Sequence, residues 1–372
     1  MNTELAKELG LEFPIFAFTH CRDVAAAVSK AGGLGVLGVA GHSLKNLTME
    51  LDWIENEIGD KPYGVDLLMP GKFAGSDRGG FDEAQLDERI PEEHREFLDD
   101  LLQQHEVPLL PPETKLAREF VVGYEQQRDV IELVFERKIS LIASALGPPP
   151  AWMVERGHAN NIKVAALAGT VEHARRHVEA GVDIIVAQGT EAGGHTGLVS
   201  TMVLIPEVVD AVAPLPVLAA GGIGNGRQIT AALALGAQGV WTGSVWLTTE
   251  EAETHPVVKE KFLKASSSDT VRSRSLTGKP ARQLRSAWTD AWEDPSNPDP
   301  LPMPLQPRLV REAQARISRT AHKSAGAAQL SNYFVGQIVG SMNQVKSVRT
   351  VVEEMVQEYA DAMERLDEWA ED

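Results

Sequence analysis

With 372 residues the chain can bury a large core, and one barrel with insertions fits that length as well as two average domains do. Its formal net charge of −18 argues against a nucleic acid or an anionic membrane as partner, because both need clustered Lys and Arg. A single cysteine, Cys21, excludes an intrachain disulfide and a multi-cysteine zinc site, and it fits a reducing cytoplasm.

From Met1 to Phe18, the charged residues Glu4, Lys7, Glu8 and Glu12 interrupt the apolar run that a signal peptide requires. Nothing later reaches the ~18 apolar residues needed to cross a bilayer. The expectation is a soluble, cytoplasmic protein.

From Pro14 onward, short β-branched or aliphatic runs alternate with helical patterns, as in βα units around a parallel sheet. The runs are Pro14 to Phe18, Leu34 to Val39, Tyr63 to Met69, Ser140 to Leu146, Lys163 to Ala168, Val182 to Gln188, Pro216 to Ala220 and Gly239 to Gly243. Most are nearly continuous in apolar residues, as expected of strands covered on both faces. Asp23, Thr170 and Asn225 can cap the helices that follow them, while Gly32, Gly181 and Gly236 stand where a left-handed C-cap is wanted. A doubly wound sheet would need a phosphate loop after its first strand, and Ala17-Phe-Thr-His-Cys21 is no such loop. The predicted fold is therefore an α/β (β/α)8 TIM barrel over residues 1–290.

An acidic insertion at about 70–138 separates the third and fourth strands. Its stretch Asp77 to Glu106 holds 11 acidic and 3 basic residues and includes a predicted helix from Glu92 to Gln104. It reads as a solvated excursion, or else as a lid or partner surface lining the substrate pocket. From Asp294 to Pro307 six prolines predict an extended surface run that opens a C-terminal helical extension over 291–372. There Val345, Val348, Val352, Met355, Tyr359, Ala362, Leu366 and Trp369 step by threes and fours along one helical face. This stripe either docks on the barrel's own outside or forms the seam of a homo-oligomer.

Chemistry concentrates where the last strands end. Gln188-Gly-Thr-Glu-Ala-Gly-Gly-His195 closes the sixth strand with glycines that let a flat ligand approach the backbone, and with Gln188, Glu191 and His195 as donors and acceptors. The C-terminal face of a barrel holds the active site, so His195 is the leading catalytic candidate. An imidazole near neutral pKa there can take an acidic C–H proton. Leu218 to Gly226 runs from the seventh strand into a helix with free first amides, and Thr242-Gly-Ser244 ends the eighth; together they form an anion site suited to a phosphate. No carboxylate or histidine spacing suggests a metal.

These segments resemble the nitronate monooxygenase family, formerly the 2-nitropropane dioxygenases, which also includes flavin-dependent enoyl-acyl-carrier-protein reductases and NAD(P)H:quinone reductases. The resemblance lies in Ala25 to Gly38, Gln188 to Gly197, Pro216 to Gly226, Ala231 to Gly243 and Thr277-Gly-Lys-Pro-Ala-Arg282, and spans residues 14 to about 285. It implies a non-covalent FMN, with its phosphate on Gly221, Gly222, Gly243 and Ser244, and with Gln188, Gly193 and Gly194 near the ring and ribityl chain. It also implies that His195 acts as base or orients substrate above the flavin. The expected reaction is oxidation of a small alkyl nitronate with O2; the alternative is an NAD(P)H-dependent reductase of a quinone or an enoyl thioester. A flavin-free barrel that binds a phosphorylated metabolite is a third reading.

Two stretches depart from the family pattern. The first strand ends Phe16-Ala-Phe-Thr-His20 where relatives have Gln-Ala-Pro-Met, placing His20 and Cys21 as auxiliary candidates. The third reads Gly64-Val-Asp-Leu67 where relatives have Gly-Val-Asn-Leu, so Asp66 meets the flavin edge as an acceptor that cannot donate while ionised.

Overall fold

The computed structural model describes residues 1–70, 83–114, 116 and 124–371. Eleven strands occur among them: β1 (Ile15–Thr19), β2 (Leu34–Gly38), β3 (Tyr63–Leu68), β4 (Leu141–Ala145), β5 (Lys163–Ala168), β6 (Ile184–Gln188), β7 (Gly194–His195), β8 (Val217–Ala220), β9 (Gly239–Thr242), β10 (Thr270–Ser273) and β11 (Ala281–Leu284). Eight of them close a parallel barrel in the order β1-β2-β3-β4-β5-β6-β8-β9, with β9 pairing back onto β1. The eight predicted runs are these eight strands, and the fold is a (β/α)8 barrel.

Continuous apolar runs follow from two cores on opposite faces of one sheet. Phe16, Leu34, Val36, Leu141, Ala143, Ile184, Val186, Leu218 and Trp241 fill the barrel interior. Their neighbours Ile15, Leu37, Val65, Ile142, Val164, Ile185 and Val217 face the surrounding helices. The side chain of Thr170 accepts from the His173 amide and that of Asn225 from the Gln228 amide, whereas the predicted cap Asp23 lies inside helix Arg22–Lys30. Gly32, Gly181 and Gly236 all have positive φ, as left-handed helix endings require.

A second core lies beyond the barrel. Helix Glu92–Gln104 of the acidic insertion buries Leu98, Leu101 and Leu102 against Trp288, Trp292 and helix Leu305–Thr320. An ion pair joins the same regions, with Asp87 accepting from the Arg308 guanidinium at 2.6 and 2.8 Å. The predicted extended run is shorter than its prolines suggest. A helix begins at Leu305 and takes Pro307 into its first turn, where proline's missing N–H is no loss.

The C-terminal helix Val348–Glu371 docks on the chain's own barrel. Val348, Val352, Met355 and Ala362 are buried, while Leu366 and Trp369 at its far end are exposed. The contact is made on barrel helix Gly226–Ala234, whose first residue lies so close that a Cβ there would meet Met355 O and Tyr359 N at 2.2 Å. No helix among the described residues is long and apolar enough to cross a membrane.

Gly226→Val should therefore force the two helices apart. The expected cost is at least about 1–3 kcal/mol, the usual penalty of overpacking, read as a lower urea midpoint with faster proteolysis after residue 347. An unchanged midpoint would show that the helix does not depend on this crossing.

Candidate active site

The C-terminal ends of the barrel strands open into a cavity of about 1340 Å³. A pocket for one drug-sized ligand spans roughly 300–1,000 Å³, so this one has room for a cofactor and a second molecule. The lining includes Phe18, His20, Asp66, Gln188, Gly193, Gly194, His195, Gly221, Gly222, Trp241, Gly243 and Ser244. A roof of later chain adds Thr277, Lys279, Met303, Pro307 and residues 331–334 and 336. The predicted site residues thus share one cavity. The Pro-rich segment lines it as expected, but no described residue of the acidic insertion does, because that segment is held behind helix Leu305–Thr320.

His195 is fixed from two sides. Its backbone forms β7, which pairs antiparallel with β11 through Gly194↔Arg282 and His195↔Ala281. The Arg282 guanidinium ties this pairing to the loop by donating to Thr190 O at 2.8 Å and to Thr270 Oγ1 at 3.0 Å. Glycine is required at 193, where a Cβ would meet Gly336 N at 2.8 Å and Val335 C at 2.9 Å. On the side chain, Nε2 lies 2.9 Å from Thr277 Oγ1 and the ring centroid 6.1 Å from that of Phe334. The Thr277 hydroxyl spends its proton on Lys279 O at 3.2 Å, so it accepts from Nε2–H and leaves the Nδ1 lone pair free. Burial, with a smaller contribution from the Lys279 charge, holds the imidazole pKa down to about 4. This corrects the expectation of a near-neutral pKa: His195 is uncharged at pH 7 and a weak base.

Lys279, which sequence reasoning passed over inside Thr277 to Arg282, is the nearby cation. Burial lowers its pKa, and no described carboxylate lies within ion-pair distance of Nζ. Glu191 has another task than ligand contact. Its carboxylate accepts from the Thr201 amide at 2.9 Å and the Thr201 hydroxyl at 2.8 Å, capping helix Thr201–Val212. Cys21, Asp23 and Glu253 bring ligand-type atoms within 4.8 Å of one another. Burial pushes the Cys21 thiol up, however, and its Sγ donates to Glu251 O at 3.2 Å, so it is not the thiolate that a metal needs.

Asp66 stands in a different setting from an exposed carboxylate. It is 5 % exposed, its Oδ2 has no partner among the described residues, and burial raises its pKa well above the ordinary carboxylate value. Burial thus favours its protonated form, which can donate as well as accept. Nearby, His20 packs edge-on against Phe18 at 5.1 Å and is engaged through Nδ1 with Gly38 O at 3.2 Å.

The anion-binding part differs in detail from the sequence reading. Amides at the start of helix Gly226–Ala234 are occupied: Gly224 N donates to Gln228 Oε1, Gln228 N to Asn225 Oδ1, and Gly226 N to Glu358 Oε2 of the C-terminal helix. At the ends of β8 and β9, the amides of Gly221, Gly222, Gly243 and Ser244 have no protein acceptor among the described residues. Gly221 and Gly222 turn there with φ of 106° and 69°. The Ser244 hydroxyl accepts from Gly336 N at 2.8 Å, which orients it from the roof. Open amides and an unpaired buried acid on one cavity fit a ligand with a phosphate and a flat polar edge.

Comparison with known proteins agrees with this geometry. The family model described as nitronate monooxygenase matches residues 4–358. A protein of Mycobacterium tuberculosis, named as a monooxygenase without a stated substrate, is 60% identical over 98% of both chains. A probable nitronate monooxygenase of Staphylococcus haemolyticus is 30% identical, covering 94% of this chain and 99% of that one. Among solved structures, a nitroalkane oxidase from Streptomyces ansochromogenes superposes with a TM-score of 0.79 at 25% identity, over 97% of this chain and 99% of the other.

The His195 environment makes a direct prediction for the ligand-free protein. In a nitrogen-15 histidine titration, the signal removed by His195→Gln should keep its neutral Nε2–H pattern from pH 8 to pH 5 and change only near pH 4. An inflection near 6.5 would show that the site is wetter than the structure implies.

Proposed function

We propose, on the premise that the chain belongs to the nitronate monooxygenase family, that it is an FMN-dependent enzyme oxidising alkyl nitronates with dioxygen to a carbonyl compound and nitrite. The observation that carries this reading beyond the family is the pairing of a cation without an ion-pair partner among the described residues, Lys279, with a neutral, weakly basic His195. A nitronate is already an anion. It needs a positive group to hold its oxygens, and needs no strong base to create it. A neutral nitroalkane would require C–H deprotonation, for which an imidazole with a pKa of about 4 is poorly matched. The reacting group of a quinone or an enoyl thioester brings no charge of its own to the half-buried Lys279 ammonium.

FMN fits the residues present. Gly221, Gly222, Gly243 and Ser244 offer amides and a hydroxyl to its phosphate, while Asp66, Gln188, Gly193 and Gly194 stand for its ring and ribityl chain. When bound, the flavin supplies electron transfer from substrate and the reaction with O2. The chain's own part is to place the substrate. Lys279 attracts the nitronate oxygens, Phe334 and Trp241 border the cavity and limit water, and the uncharged His195, held through Nε2 by Thr277, orients the substrate. Exclusion of water strengthens each of these interactions.

An anaerobic mixing experiment separates the two redox chemistries. A nitronate should bleach the flavin, and NADH or NADPH should not; fast bleaching by a nicotinamide alone would replace this reading by the reductase. The side chains give a further test: His195→Asn should keep the cofactor but lower turnover by roughly 10²-fold, the scale on which misplacing a substrate slows an enzyme. Lys279→Met should mainly raise KM for nitronates, and equal KM values in wild type and variant would remove Lys279 from substrate binding.

A further inference from the structure

We propose that Asp66 grips the flavin as a neutral carboxylic acid, donating its O–H to the cofactor, so that flavin retention weakens as the pH rises. The inference rests on the FMN reading above and adds a titratable control to it.

The geometry leaves an ionised Asp66 nothing to pair with. Its strand neighbours across the sheet are Gly38 on β2 and Ala143 on β4, and neither has a polar side chain. Next to Ala143, the Ser144 hydroxyl is already donated to Gly147 O at 2.9 Å. Over Gly38 lies His20, whose Nδ1 is taken by Gly38 O and whose pKa is lowered by burial, with the neighbouring His42 adding to that effect. No described Lys or Arg forms an ion pair with Asp66, and Oδ2 is sealed without a partner. An isolated carboxylate in such a place costs far more than taking up a proton.

A protonated carboxyl has the shape of a carboxamide, with one donor and one acceptor side by side. It can therefore satisfy a flavin edge, which presents carbonyl and ring-nitrogen acceptors and a single N–H, as an asparagine carboxamide would. Ionisation deletes the donor and adds a charge. Asp66 is thus a carboxamide substitute that works only while protonated.

Linkage fixes the sign. If the bound state requires the proton, FMN affinity is full below the ionisation of Asp66 in the apoprotein and falls by up to tenfold per pH unit above it. The same group acts on the apoprotein itself. Its folded pKa exceeds its unfolded value, so the stability it contributes is present at low pH and is lost as the pH rises through the folded value.

The test is a fluorescence-quenching titration of apoprotein with FMN between pH 6 and 10, for wild type and Asp66→Asn. Flavin ionisations move both curves alike, so the difference between them reports Asp66. The expected result is a wild-type Kd that climbs away from that of Asp66→Asn at alkaline pH, with proton uptake on FMN binding to the wild type measured calorimetrically in two buffers. Parallel Kd curves, or binding without proton uptake at alkaline pH, would overturn the proposal and leave the FMN reading intact. Failure of both proteins to bind FMN at pH 6 would overturn both; melting temperatures of the two apoproteins that diverge with pH would then still locate the Asp66 ionisation.

Discussion

Two residues of backbone pairing decide where the imidazole stands. The loop after β6 carries glycine at 189, 193, 194 and 197, a composition that by itself permits many conformations. Pairing of Gly194 and His195 with β11, reinforced by the Arg282 guanidinium, selects one of them. Once β7 is held, Gly193 is pressed onto the Val335–Gly336 backbone, the ring meets Thr277 and Phe334, and water is displaced from around it. The low basicity of His195 is thus a consequence of a main-chain ladder, several steps removed from the side chain itself.

The electrostatics of the cavity follow from the same dryness. Burial pushes the acid Asp66 and the base His195 towards their uncharged forms, one by raising a pKa and the other by lowering it. Lys279 is lowered too, yet a lysine starts far enough above neutrality to stay charged after a modest fall. Groups neutralised by burial thus stand beside the Lys279 charge in one cavity, the setting in which the proposed anionic substrate would be held.

The architecture was legible because both faces of each barrel strand are covered, which turns strands into unbroken apolar runs, and because three helices end on glycines that adopt positive φ. That the glycine-rich loop and the glycines at 221, 222 and 243 share one cavity was legible for a related reason: they sit where strands end. Protonation was not. Whether Asp66 is an acceptor or a donor, and whether His195 is a strong or a weak base, depends on neighbours such as Thr277, Lys279 and Ala143 that lie between 77 and 84 residues away along the chain. The roof residues 331–336 gave no signal either, since Asn332-Tyr-Phe-Val-Gly336 has neither periodicity nor an obvious chemical group. Nor could the sequence show that Glu358 already occupies the first amide of helix Gly226–Ala234.

That last contact has a consequence for how the protein is made. Gly336 orients the Ser244 hydroxyl, and Glu358 closes the helix that follows Gly221 and Gly222, so parts of the cofactor cradle are set by residues about 90 and 130 positions later in the chain. Synthesis proceeds from the N-terminus, and all eight barrel strands emerge long before these two contacts can form. Completion of the cradle proposed for the cofactor therefore waits for nearly the whole chain.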